Sequence, residues 1–256
     1  MMRLILIFLI VIWNLNIAYG RNAGETEITT EEGIEVFQEE KYYLLKKNVQ
    51  INSDELKLNG QVVKIYFEDD LYDIRELIAN NDVSFISEQF NIKGKGENVE
   101  FNVKDQIIFV YGINSELFLE TTEMLSDGKI IVDNVKGSFI INGSNSELFS
   151  EDIYINATKI NGTFEIVDEK RDIVNLFVED ENKLNIKTDD IVMYSKKAVY
   201  NKSKSIIELF DEVEINRGNE IITGDYGILD TNKNSYKVSS KNSKKVKAII
   251  LGSDDE

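Results

Sequence analysis

The side chains that could do chemistry in this chain are carboxylates, amines and hydroxyls, because its 256 residues include no His and no Cys. Without Cys there is no thiol nucleophile and no disulfide framework. Without His the base that titrates near neutrality is missing, and so is the commonest metal ligand. Three acidic doublets stand out: Glu39-Glu40, Asp69-Asp70 and Asp189-Asp190. Paired carboxylates can hydrolyse glycosidic bonds or hold a hard cation. Each doublet, however, falls between strand-like runs, where acids solvate turns, and no calcium loop of alternating Asp/Asn with a fixed Gly is present. Gly94-Lys95-Gly96 sits inside a strand pattern with no helix after it, so it is not a phosphate loop. Serines have no His to activate them. The expectation is a protein that is not an enzyme and needs neither metal nor cofactor.

Charge narrows the partners. The chain has 46 acidic and 29 basic residues, a net −17. Nucleic acid demands a basic footprint, and the same charge argues against holding an anionic lipid by its head group. A strongly charged surface keeps a β protein with many edges dispersed. The one basic patch, Lys241–Lys247, suits either a charged edge or contact with a phosphorylated head group or acidic partner.

The elements that would carry such a surface are strands. In Asp211–Leu229, Val213 and Ile215 alternate with polar residues, Arg217-Gly218-Asn219 turns, and Ile222, Gly224, Tyr226 and Ile228 alternate again. A period of two marks a strand with one buried face. The unit recurs: Val49 to Gly60, Val83 to Gly94 and Val213 to Gly224 are all 11 residues apart. An apolar residue follows each Val by two (Ile51, Phe85, Ile215) and another precedes each Gly by two (Leu58, Ile92, Ile222). A weaker copy runs through Phe177 and Ile186 to Thr188. Fixed-period self-similarity points to one supersecondary unit used repeatedly.

Along the chain about 15 short strands are expected at the spacing typical of all-β bodies. Leu71–Ile78 has helical spacing but is too short to stand alone as a helix, and a strand is preferred. Asn142-Gly143 and Asn161-Gly162 read as hairpin turns; the stretch 112–128 is less regular. No linker interrupts the pattern, so residues 34–250 form one domain, preceded by a polar leader at 21–33 and followed by an acidic tail at 251–256. Met1-Met2-Arg3, the apolar run Leu4–Trp13 and the small-x-small Ala18-Tyr19-Gly20 read as a secretory signal peptide cut after Gly20. The run is short for a spanning helix. An uncleaved anchor is the alternative.

The repeats, together with Ala198-Val199-Tyr200-Asn201, Val213-Glu214-Ile215-Asn216-Arg217-Gly218, Ile222-Thr223-Gly224-Asp225-Tyr226 and Lys245-Val246-Lys247-Ala248, resemble the OstA-like family, the periplasmic lipopolysaccharide-transport proteins of the LptA type. The resemblance is clearest over 196–250. It implies a twisted, open antiparallel β-jellyroll whose groove holds lipopolysaccharide acyl chains. It also implies ends that pair edge to edge, as a head-to-tail homo-oligomer or with like-folded inner-membrane and outer-membrane partners, bridging exporter and outer-membrane assembly complex in the periplasm. The inward faces of the repeats are then either a core or the groove lining: Val49, Ile51, Leu58, Val83, Phe85, Ile92, Phe101, Val213, Ile215 and Ile222. Two other readings stay open: a membrane-anchored exporter partner of the same fold, and a secreted β-solenoid of adhesin type.

Overall fold

A computed structural model describes residues 23–69, 73–150, 153–168, 170–240 and 245–250. The signal peptide, the acidic tail, Asp70, Leu71 and most of the basic patch lie outside the described residues. Eighteen antiparallel strands form one sheet: β1 Glu27–Thr29, β2 Ile34–Phe37, β3 Tyr42–Asn52, β4 Leu56–Phe67, β5 Ile74–Ser87, β6 Ile92–Asn102, β7 Ile107–Tyr111, β8 Ser115–Leu119 and β9 Thr122–Ser126. They continue as β10 Lys129–Asp133, β11 Ser138–Ser150, β12 Ile153–Val167, β13 Lys170–Lys187, β14 Ile191–Asn201, β15 Ile206–Arg217, β16 Glu220–Asp230, β17 Ser235–Ser239 and β18 Lys247–Ile250.

The pairings reveal a simpler object. β7 and β8 both pair with β6, one against its second half and one against its first. β9 and β10 divide β11 in the same way. β1 with β2, and β17 with β18, stand likewise against β3 and β16. Each of these couples is one long strand interrupted in the middle, so among the described residues the 18 strands are 14 rungs of a single ladder. The unbroken rungs are interrupted too. Registers shift at Lys46/Val49, Asn59/Val62, Asn80/Val83, Asn156/Lys159, Tyr194/Lys197 and Phe210/Val213. Every rung therefore bends at its centre, and the sheet is folded lengthwise into two facing layers. Phe85 from one layer meets Phe101 from the other edge to face, centroids 4.8 Å apart.

Two sequence devices make the bends. In β3, β5 and β15 a consecutive pair takes left-handed backbone: Lys47-Asn48, Asn81-Asp82 and Asp211-Glu212. These pairs directly precede the repeat's Val, and Asn and Asp tolerate that conformation best among residues with a Cβ. In β4, β6 and β16 a single extra residue shifts the phase instead, as a β-bulge does. The inward positions run Leu58, Gly60, then Val63 and Ile65. Without that slip, a period of two would turn the apolar face outward where the rung crosses to the second layer.

The bends correct several expectations. In β16 the inward residues past the bend are Gly227 and Leu229, not Tyr226 and Ile228, because the alternation changes phase there. Val213 pairs with Gly224 and Val49 with Gly60, but Val83 pairs with Gly96, leaving Phe85 opposite Gly94. The shared 11-residue spacing is therefore not a shared register in the second copy, whose turn is longer. Asn142-Gly143 and Asn161-Gly162 are not hairpin turns: the first lies at the bend of β11 and the second inside β12, where Gly162 pairs with Phe139. Gly162 is there for close approach, since any Cβ would enter the ring of Phe139. The polar leader is not wholly loose, because β1 pairs with β3. The less regular stretch 112–128 is a normal part of the ladder, where the rungs β7 with β8 and β9 with β10 are broken into halves of five residues each. The strand preferred at Leu71–Ile78 is the start of β5 over its described part.

Candidate functional site

Folding the ladder along its bends leaves two rows of turns along the opposite side, one at the rim of each layer. Polar side chains tie the rows together at two places. At the first, Arg171 at the start of β13 reaches across. Its guanidinium donates to Glu120 Oε1 at 2.6 Å, to the Phe90 carbonyl at 2.9 Å and to Asn134 Oδ1 at 2.8 and 3.1 Å. Both charged side chains are nearly enclosed, Arg171 at 9% and Glu120 at 6% exposure. Burial pulls the Arg171 pKa down from its usual value, and the Glu120 carboxylate works against that. Glu120 Oε2 and Asn134 Nδ2 are buried without a hydrogen-bond partner. At the second place, Asn234 donates to Asp190 at 3.4 Å, and Asp190 is paired with Arg217 at 2.7 Å.

Beside these ties lies a cavity of about 320 Å³. Its floor is the core itself: Leu176, Ile191, Ile207 and Leu229, each at most 2% exposed. Half-buried Ile153, Ile173 and Tyr200 form its walls. Its rim is charged: Arg171, Asp172, Lys202, Asp189 and Asp190. Such a volume is at the low end of small-ligand pockets, which span about 300–1,000 Å³. An apolar floor under a polar rim fits an amphiphile whose tail enters and whose head stays wet.

The ten candidate groove residues lie elsewhere. Val49, Ile51, Leu58, Val83, Phe85, Ile92, Phe101, Val213 and Ile215 are buried between the layers in one continuous core, and Ile222 is half-buried. Seven lie on β3 to β6, far along the ladder from the cavity, whereas Val213, Ile215 and Ile222 lie on β15 and β16, two of the rungs β12 to β16 that line the cavity together with Thr121 and Ser150. The acidic doublets remain apart. Asp189-Asp190 is at the rim, Glu39-Glu40 in a turn, and among the described residues no group of three His, Cys, Asp or Glu could hold a metal.

Alternation alone missed Arg171 and Glu120, which are 51 residues apart. One signal existed. Only five of the 29 basic residues are Arg, and Arg171 and Arg217 are two of them. Arg carries the planar fork that bridging two rows of turns requires.

Residues 167–254 match the family model described as OstA-like protein. No curated protein matches the chain. A solved structure, LptH, the LptA homologous periplasmic component of the lipopolysaccharide transport device from Pseudomonas aeruginosa, matches with a TM-score of 0.28 and 9% identity, over 63% of this chain and 95% of that one.

Proposed function

We propose, taking as premise that the chain is OstA-like over residues 167–254, that this protein carries lipopolysaccharide across the periplasm. It would hold acyl chains between its two layers. The observation that carries this reading is the cavity, whose apolar floor and charged rim fall almost wholly within the OstA-like segment. Each methylene removed from water contributes about 0.8 kcal/mol, so an acidic protein can hold an anionic lipid by its tails. The first and last rungs have an unpaired edge among the described residues. Ile34 and Val36 on β2 and Ile249 and Ile250 on β18 are exposed there. An open edge is a template for strand addition, and these two would dock like-folded partners or further copies, bridging the inner-membrane exporter to the outer-membrane assembly complex. The inward residues near both ends, Val49 to Phe101 and Val213 to Ile222, would line the path if the layers part.

A photo-crosslinking amino acid at Ile173, on the cavity wall, is expected to label with purified lipopolysaccharide. The same group at Phe177, which is 40% exposed on the outer surface, is expected to stay unlabelled. Equal labelling at both positions, or none at either, would sink the reading.

A further inference from the structure

We infer that Arg171 is the anion-receiving residue of the cavity and that Glu120 masks it until an anion takes its place. The inference rests on the lipid-carrier reading and adds to it a head-group chemistry: a phosphate or carboxylate at the head of the bound amphiphile takes the place of the Glu120 carboxylate.

Three observations carry it. First, the ion pair is placed where an amphiphile's head must sit. Arg171 lines the cavity whose floor is apolar, and Glu120 and Thr121 form the turn between β8 and β9 on the facing rim. Second, the pair is poorly completed for a buried one. Glu120 uses one oxygen and leaves Oε2 buried without a partner, and Asn134 Nδ2 beside it is equally unsatisfied. A buried ion pair offsets its desolvation only when the remaining lone pairs and protons are satisfied, so this one contributes little as a mere brace. Third, the other charges at the rim are accounted for. Asp172 is paired with Lys202 and Asp190 with Arg217, while Asp189 is exposed to water. Arg171 reaches two acceptors of the facing rim, Glu120 Oε1 and the Phe90 carbonyl, through its two terminal nitrogens, and a guanidinium fork can receive phosphate or carboxylate in a bidentate manner. An anion arriving at the rim exchanges for Glu120, whose side chain is then released to solvent, and the first of the two ties between the rows of turns loses its ion pair. Loading thus loosens the cavity mouth at that place.

The test compares two amphiphiles with the same tail, dodecyl phosphate and dodecyl glucoside, below their micelle concentrations, by titration calorimetry on the mature protein. Glu120→Gln keeps the shape and removes the competing charge. It is expected to tighten dodecyl phosphate by about tenfold, about 1.4 kcal/mol, and leave dodecyl glucoside unchanged. Arg171→Gln is expected to bring dodecyl phosphate down to the affinity of the glucoside. Arg171→Lys, which keeps charge and loses the fork, should fall between and serves if Arg171→Gln does not fold by thermal melting. If Glu120→Gln moves both amphiphiles together, or if the phosphate preference survives loss of the guanidinium, the assignment is overturned while the carrier reading stands. If neither amphiphile binds any variant, the carrier reading falls and this inference with it.

Discussion

Replacing Gly162 by Ala tests whether the glycines inside the rungs serve packing and not turning. A Cβ on Gly162 would lie well under 3.0 Å from the ring of its cross-strand partner Phe139. Phe139 is only 2% exposed, so its ring has nowhere to go. Overpacking a core of this kind costs about 1–3 kcal/mol. The stiffer unfolded chain of an Ala variant returns about 0.4–1 kcal/mol. The net expectation is a loss of about 1–2 kcal/mol, which in a protein of this size lowers Tm by roughly 2–8 °C. Gly60 is the control: it too is buried in a strand, but its Cβ would meet nothing nearer than 3.5 Å. Gly60→Ala should therefore be neutral or stabilising by up to about 1 kcal/mol. Urea unfolding followed by circular dichroism reads both, and the pair Gly162→Ala with Phe139→Leu closes a double-mutant cycle. The contact argument predicts that the cost of Gly162→Ala shrinks in the Phe139→Leu background. Equal effects at Gly60 and Gly162, or strict additivity with Phe139→Leu, would show that the close approach is not what fixes this residue.

At the bends, Asn81 has φ +66, so Asn81→Gly should leave the urea midpoint almost unmoved, whereas Lys57→Gly in the regular part of β4 should cost about 0.5–1 kcal/mol. Tyr226 and Tyr236 donate to Glu208 and Glu220, and burial, then these carboxylates, push both phenols up to about 12. Their folded pKa lies above the unfolded value near 10, so the stability they add is complete below pH 10 and disappears as pH climbs toward 12. Ultraviolet titration should show late-titrating phenols whose number falls by two in Tyr226→Phe plus Tyr236→Phe. On the proposed edge-to-edge docking, Val36→Lys and Ile249→Lys at the ladder's ends should weaken association between copies by about tenfold, about 1.4 kcal/mol, by sedimentation, with Tm unchanged, because a charge on an edge blocks strand addition.

The strands were readable because each rung buries one face, and that burial writes a period of two into the residues. What alternation could not carry was the fold along the bends. A bulge costs one residue and reverses the phase, so Tyr226 and Ile228 looked inward when Gly227 and Leu229 are. The left-handed pairs were half visible: Asn48 and Asp82 stood in the repeat, but Lys47 and Glu212 give no sign of their backbone. Asn-Gly misled because glycine answers two demands, positive φ and the close passage of a neighbour, and Gly162 meets only the second. The inward residues of the repeats were recognisable as a buried face, yet whether such a face is packed or hollow depends on what stands opposite, and that is settled by the other layer. The tie between Arg171 and Glu120 depends on the same opposition and leaves no local pattern.

Because broken and unbroken rungs occupy the same place in the ladder, the molecule's reach along its axis comes in fixed increments. Neighbouring strands sit about 4.8 Å apart, so 14 rungs extend roughly 60 Å. Inserting or removing one antiparallel couple would change that by about 10 Å while returning the chain to the same rim with both extremities unaltered. Length along the axis can therefore change without redesigning either end.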